Sequence, residues 1–575
     1  VVRRPRSPSA AIRRDCGAAM GSPVKRRVEA LLRRAVESAH AAGELVTAIL
    51  PEGSIEVPRE RAHGDVACNA AMALARPERK APRAIAEILV RHIEDPGSWI
   101  AGTEIAGPGF LNLRLSPRFW HEEATALRDD PALGVLPMGG GRIVQVEFVS
   151  ANPTGPLTVG HGRNAVLGDT LARLLEGTWH RVEREYYFNN AGRQMKVLAA
   201  SVRGRYLEQL GRPADFPEDG YQGDYIRDIA SGLVERHGEA LVEHDGHAFR
   251  DAAEQAIFAD IRASQDRLGV RFDRYFNEDS LYESGAIEKV LERLAERGLS
   301  ESRDGAIWLR GERVGLEKDR VLVKSSGEPA YRLPDIAYHL DKLARGYDAI
   351  IDVLGADHID EHREVVAAIA ALGHDATPIR PVIYQFVTLT RFGEQVKMST
   401  RRAEYVTLDE LLDEVGPDAA RFFFLMRKSD SHLEFDLELA KKRTADNPVF
   451  YVQYAHARIF NLFGQAEAAG AVPAAASAGV EAFSALVEEE ELDLVRTLAS
   501  YGEVVEIAAR DLEPHRLVFY LQELAATLHR FYNRHRVLGD ENPGRVGARL
   551  ALLDLVRRVI AAGLGLLGVT APERM

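Results

Sequence analysis

Residues 144–176 read VQVEFVSANPTGPLTVGHGRNAVLGDTLARLLE and constrain the fold more than any other stretch of the chain. Val144–Val149 has the composition of a strand, and Asn152–Pro156 supplies a Pro/Gly turn. Val166, Leu167, Leu171, Leu174 and Leu175 then fall on one helical face. A strand that ends in a glycine loop and a helix start makes an anion site, because free backbone N–H groups and the helix dipole point at the same spot. Thr158, Gly160, His161 and Arg163 sit there. An ordinary strand–turn–helix of an α/β domain satisfies the same pattern, so a nucleotide site needs a second element.

That element is Gln395–Glu404, QVKMSTRRAE, with Lys397, Arg401 and Arg402 beside Ser399 and Thr400. Mobile ammonium and guanidinium groups next to hydroxyls and backbone donors suit a migrating polyphosphate charge. A basic run alone is more often a solvated loop. Together with TVGH the two form a specific pair.

TVGH (Thr158–His161) resembles the HIGH motif of class I aminoacyl-tRNA synthetases, and KMST (Lys397–Thr400) resembles their KMSKS loop. YYFNNAGRQM (Tyr186–Met195), RLPDIAYHLDKL (Arg332–Leu343) and the stretch Val415–Ile459 are similar to bacterial arginyl-tRNA synthetases, and the match runs from about Met20 to Met575. The resemblance implies activation of L-arginine by ATP to an adenylate, then transfer to the 3′ end of tRNA(Arg). It also implies a monomer in the cytoplasm, with Mg²⁺ brought by ATP. The fold it implies is multidomain α/β: a Rossmann-type parallel sheet with a helical insertion, an N-terminal α/β appended domain and a C-terminal all-α bundle.

Length and charge fit this reading. The 575 residues predict three or four domains at roughly 150 residues each. No apolar run approaches the ~20 residues of a membrane helix. The two cysteines, Cys16 and Cys68, form no metal pair, which fits a reducing compartment and argues against zinc and against the zinc-dependent cysteinyl relatives. The net charge of −13 looks wrong for an RNA binder, but local patches decide binding. Basic clusters at Lys25–Arg27, Arg33–Arg34, Arg401–Arg402, Lys441–Arg443 and Arg530–Arg536 suit one long RNA held at several points, although each alone reads as a solvated helix face.

The expected organisation has an Arg/Pro/Ser-rich extension at 1–19, disordered or over-translated, then an appended domain at 20–137 that by resemblance holds the tRNA elbow. A catalytic domain follows at 143–407, with an insertion at about 196–316. Strands are expected at Val144–Val149, Ile350–Leu354 and Ile383–Leu389, and Ala306–Arg310 and Val321–Lys324 are expected to return the chain to the core. A connecting segment (408–446) leads to a helical domain at 447–575, which by resemblance binds the anticodon. Its family motif reads DAAR here, Asp418–Arg421, and HRFYNRHRVL (His529–Leu538) interleaves aromatic and basic residues as base stacking requires.

The chemistry needs no protein nucleophile: the arginine carboxylate attacks the α-phosphate, and the protein positions it and neutralises developing charge. By resemblance Gly160, His161, Lys397, Met398 and Ser399 hold ATP, with His161 and Lys397 as the principal catalytic donors. A guanidinium fork calls for planar carboxylates. Glu147 ends the strand leading into TVGH, and Asp335 follows Tyr331 by one helical turn. Matched to the family motifs, Glu147, Tyr331 and Asp335 contact the guanidinium, Asn152 the α-amino end, and His358 of LGADH belongs to the same pocket. Thr158 stands where the first histidine of HIGH is usual and Thr400 where the second lysine of KMSKS is usual, so Arg401 or Arg163 is expected to supply the missing charge. A binding-only paralogue and an ATP-dependent nucleotidyltransferase are the competing classes.

Overall fold

The computed structural model describes residues 22–58, 60–190, 192–244, 246–396, 406–470 and 480–575. Its centre is a five-stranded parallel sheet of β1 (Ile143–Glu147), β2 (Arg181–Phe188), β3 (Arg274–Asn277), β4 (Ala349–Gly355) and β5 (Ile379–Tyr384). The spatial order is β5-β4-β1-β2-β3, so the chain reverses its direction of travel between β1 and β4. Ligands of open α/β sheets bind outside the carboxyl ends of the strands at such a switch point. Register pairs Glu147 at the end of β1 with Asp352 of β4 across it. Three helices frame the crevice: α1 (Val159–Gly177) after β1, α2 (Arg332–Arg345) before β4, and α3 (Ile359–Ala371) between β4 and β5.

The structure departs from the sequence expectations at four strands. The first stops at Glu147 rather than Val149, because Val149 and Ser150 take left-handed backbone angles (φ 65° and 41°) that turn the chain across the sheet end. A β-branched residue there is strained, and Asn164 of α1 anchors the turn by accepting from the Val149 N–H at 2.8 Å and donating to Val353 O at 3.0 Å. Ile383–Leu389 is two strands: β5 ends at Tyr384, and Val387–Arg391 joins a separate small sheet with Leu433–Asp436 and Glu394–Gln395. Ala306–Leu309 and Arg320–Val323 do not rejoin the core sheet; with Ser300–Arg303 they form their own antiparallel sheet. Within the span expected as an insertion, Arg274–Asn277 is β3, the edge of the central sheet.

The N-terminal residues build an antiparallel sheet of Ile55–Glu56, Val66–Cys68, Phe110–Leu115 and Ile100–Ala106; the helices Ala70–Glu78 and Pro82–His92 pack on it, and the helix Pro23–Ala41, whose Val24, Val28, Leu32 and Val36 are buried at helical spacing, packs on Pro82–His92. The C-terminal helix Pro448–Ala468 starts where Asn447 caps the Val449 N–H and donates to Ala440 O and Lys442 O. Four further helices, from Glu489–Ala499 to Pro543–Leu567, complete that bundle. DAAR acts as a clamp: Arg421, buried, reaches Asp169 of α1 at 2.6 Å and the Leu567 and Leu268 carbonyls at 2.8 and 2.9 Å. Asp418 accepts from the Thr570 N–H at 3.0 Å and from Gln453 at 2.8 Å. The motif therefore ties the bundle to the helix that carries TVGH. Among the described residues no helix is long and apolar enough to cross a membrane.

Candidate active site

A cavity of about 80 Å³ opens beyond the ends of β1 and β4, and Glu147, Asp335 and His358 all line it. Three of the five expected arginine-contacting residues thus converge. Tyr331, at the start of α2, is 63% exposed, and Asn152 donates to Gln194 at 2.9 Å; neither lines this cavity.

The floor of the cavity is a charge network that sequence reasoning missed. Lys342 of α2 is fully buried, and its ammonium donates to Glu147 Oε2 and, at 2.7 Å, to Asp352 Oδ1. Ser150 donates to Glu147 Oε1 at 2.8 Å, so both oxygens of Glu147 are engaged. Burial alone would pull the Lys342 ammonium down, but Asp352 and Glu147 outweigh it and hold the charge. Among the described residues Asp335 has no such hydrogen-bonded cation. Burial pushes its carboxyl well above the usual range, the nearby charges of Glu361, Glu147 and Glu278 push the same way, and Lys342 offsets them only in part. The Glu361 carboxylate, 3.9 Å from the His358 ring, raises His358 against the effect of burial. This is a site with carboxylate to spare, poised for a cation. Two signals were available: Asp335, His339 and Lys342 repeat at i, i+4, i+7 on one face of α2, and Asp352 interrupts the apolar run of β4.

At the start of α1, Thr158 is the N-cap, and its side chain accepts from the His161 N–H, at 3.5 Å. His161 Nδ1 in turn accepts from the Thr158 N–H at 3.1 Å. Burial lowers His161 to about 4, so the ring is neutral at physiological pH. With Nδ1 accepting, the ring proton lies on Nε2, which becomes an uncharged donor. A Cβ at Gly160 would meet no protein atom nearer than Thr158 Oγ1 at 3.6 Å, so packing does not demand glycine there. At Gly162 it does, because a Cβ would come within 2.6 Å of Leu408.

Lys397, Met398, Ser399, Thr400 and Arg401 lie outside the described residues. The chain just beyond them docks on the TVGH loop: Thr407 bridges Thr158, and the Leu408 N–H donates to Leu157 O at 2.7 Å. The segment that resumes after the KMST run therefore lies beside the TVGH helix start. Arg163 is not available to phosphate. It is fully buried, its guanidinium is spent on the carbonyls of Gln385, Lys428 and Ser431 at 2.5, 3.2 and 3.1 Å, and burial lowers its pKa to about 10. The expectation that Arg163 supplies the missing charge is therefore corrected.

A second cavity, of about 380 Å³, lies on the C-terminal bundle among Phe450, Tyr451, Tyr454, His529 and Asn533. Only one face of the 529–538 run reaches it. Phe531 points into the core, and Tyr532 lies under Arg458, 4.2 Å from the ring centre. Several expected basic clusters are neutralised within the fold: Lys25 by Glu503 at 2.5 Å, Arg33 by Glu29 at 2.6 Å, Lys441 by Glu438 at 2.6 Å, and Arg534 by Glu490.

Comparison with known proteins agrees with this geometry. Residues 26–115 match the family model "Arginyl tRNA synthetase N terminal domain", residues 137–459 match "tRNA synthetases class I (R), catalytic domain", and residues 452–575 match "DALR anticodon binding domain". The chain is 49% identical over 524 residues to an arginine–tRNA ligase of Desulfotalea psychrophila, covering 91% of this chain and 94% of that one. It is 46% identical to the arginine–tRNA ligase of Citrifermentans bemidjiense over 96% of this chain and all (100%) of that one. The solved arginyl-tRNA synthetase of Thermus thermophilus superposes with a TM-score of 0.71 at 25% identity, covering 96% of this chain and 100% of that one. The chain belongs to the class I arginyl-tRNA synthetases.

Proposed function

We infer that the carboxylate cavity at the β1/β4 switch is where this arginine–tRNA ligase selects its amino acid. Its reaction is the family's: ATP and arginine give arginyl-adenylate and pyrophosphate, and the acyl group passes to tRNA with release of AMP. The observation that carries the assignment is Asp335, a carboxyl destabilised by burial and like charges beside an already paired Glu147. A guanidinium relieves both the desolvation and the repulsion, and its planar fork suits Asp335 with Glu147 and His358 around it. Tyr331 and Asn152 do not line the cavity; by the family match Tyr331 meets the guanidinium and Asn152 the α-amino end. His161 Nε2–H donates to a phosphate oxygen as charge shifts toward pyrophosphate, and open space over Gly160 admits the nucleotide. Thr158 keeps that imidazole in register by capping the same helix. Mg²⁺ enters as the ATP complex, and no zinc takes part in the chemistry. The chain works as a monomer in the cytoplasm, with 20–137 on the tRNA elbow, 143–407 catalytic and 447–575 on the anticodon.

The test is arginine-dependent ATP–pyrophosphate exchange in the presence of tRNA. Absence of exchange there would favour the binding-only reading. Lys397→Ala is expected to lower the exchange rate by roughly 10²–10³-fold, the usual effect of removing one donor to transition-state charge. Arg401→Ala is expected to lower it in the same direction, and an unchanged rate would retire Arg401 as the replacement for Thr400.

The aromatic cavity of the bundle supports a place for an unstacked tRNA base against Tyr454 and His529, whose rings are 6.0 Å apart and 21° from parallel. Tyr454→Ala is expected to raise KM for tRNA by roughly 5- to 100-fold, the equivalent of about 1–3 kcal/mol of stacking. KM for arginine should stay fixed. Equal changes in both constants would mean that the substitution disturbs the fold instead.

A further inference from the structure

Asp352 carries more than the arginine reading uses. Its Oδ1 accepts from Lys342, while its Oδ2 lies 3.1 Å from His339 Nε2 and 3.1 Å from His362 Nε2. All three side chains are buried, and their ligand atoms lie within 4.8 Å of one another. The tautomer of His339 is fixed from behind: its Nδ1 is 2.8 Å from the Asp335 carbonyl, which can only accept, so Nδ1 carries the proton. In the neutral ring Nε2 is then a lone pair aimed at a carboxylate lone pair. Such a contact needs a second proton or a cation between the two atoms. A backbone carbonyl behind the distal nitrogen is the arrangement that orients histidine ligands of metals.

The geometry points to a binding site for a divalent transition cation of the Zn²⁺/Co²⁺ class held by His339, Asp352 and His362. Two imidazoles and one carboxylate suit that class rather than Mg²⁺ or Ca²⁺. An ion about 2.1 Å from a nitrogen and an oxygen that lie 3.1 Å apart subtends roughly 95°, within the range of three ligands on one face of a metal. The remaining positions open toward Glu361 and His358 in the same cavity. The lack of a cysteine pair bears only on thiolate sites and leaves these donors untouched. Because the cavity is shared, the ion and arginine should antagonise each other: a dication beside Lys342 adds positive charge where the guanidinium must sit. This second step rests on the arginine reading of the cavity; the ligation does not.

The experiment uses the full chain, stripped with a chelator and titrated with Co²⁺. The expected result is stoichiometric binding with the visible absorption of a histidine-ligated ion, lost in His362→Leu and in His339→Leu variants that keep the wild-type circular dichroism. X-ray absorption of the Zn²⁺-loaded wild type should show two imidazoles and one carboxylate, which decides the matter if either variant fails to fold. Saturating arginine should weaken Co²⁺ binding by about tenfold or more. No stoichiometric binding, a shell without imidazole, or a spectrum that survives in both folded variants overturns the site. Co²⁺ binding indifferent to arginine overturns the antagonism alone, and arginine saturation of the metal-free chain is measured alongside to test the arginine reading separately.

Discussion

Asp335→Asn is expected to lower kcat/KM for arginine by roughly 30- to 4,000-fold, because truncating one partner of a buried charge pair costs about 2–5 kcal/mol. The substitution keeps the shape and removes the charge, so the loss should appear with little change in KM for ATP. A pH signature goes with it. In the free protein, burial first, then Glu361 and Glu147, hold the Asp335 carboxyl well above the ordinary range. Arginine binds the ionised form and expels the proton. KM for arginine should therefore rise as pH falls through the raised Asp335 titration, and the Asn variant should lose that dependence. Stability follows the same linkage: with the folded-state value raised above the unfolded one, the arginine-free protein keeps this contribution at low pH and loses it as pH rises. Steady-state kinetics and melting curves across pH read both effects. An Asn variant with the wild-type pH dependence of KM would remove Asp335 from the guanidinium site.

The sheet, the TVGH helix and the helical C-terminus were legible because each depends on local periodicity. Val166, Leu167, Leu171 and Leu174 had to be buried somewhere, and a helix after a parallel strand is the simplest way to bury them. β3 was not legible: Arg274–Asn277 is a four-residue edge strand, RYFN, with too few apolar positions to stand out from the helices before it. The split of Ile383–Leu389 escaped for another reason. Gln385 donates to Ser429 O at 3.0 Å and its carbonyl accepts from Arg163, both through-space contacts that no sequence window contains. At the site, Glu147, Asp335 and His358 came from family motifs, whereas the pairing of the counter-charges is set by topology. Lys342 and Asp352 are ten positions apart on a helix and the following strand, and what makes them partners is the register of β4 beside β1. A buried lysine on an amphipathic face reads in sequence as a solvated one.

Lys342→Met should destabilise the catalytic domain by about 3–5 kcal/mol, the usual consequence of removing one member of a buried ionic network. The methionine fills much the same volume, so the change is mainly electrostatic: Glu147 and Asp352, register neighbours on adjacent strands, lose the ammonium between them. In the wild type, burial acts against the Asp352 carboxylate, but Lys342 and His339 outweigh it and hold the group well below its usual range. That contribution is present at neutral pH and disappears on acidification through the lowered titration. Without Lys342 the Asp352 carboxylate loses the main counter-charge to its burial, so the variant is worst at neutral pH and recovers as Asp352 protonates. The wild-type and variant melting temperatures should therefore converge as pH falls from neutral to mildly acidic. Calorimetry of the catalytic transition measures the gap at each pH. A gap that stays constant would mean that Lys342 contributes packing rather than charge. It would also mean that Glu147 is oriented toward the arginine cavity by Ser150 alone.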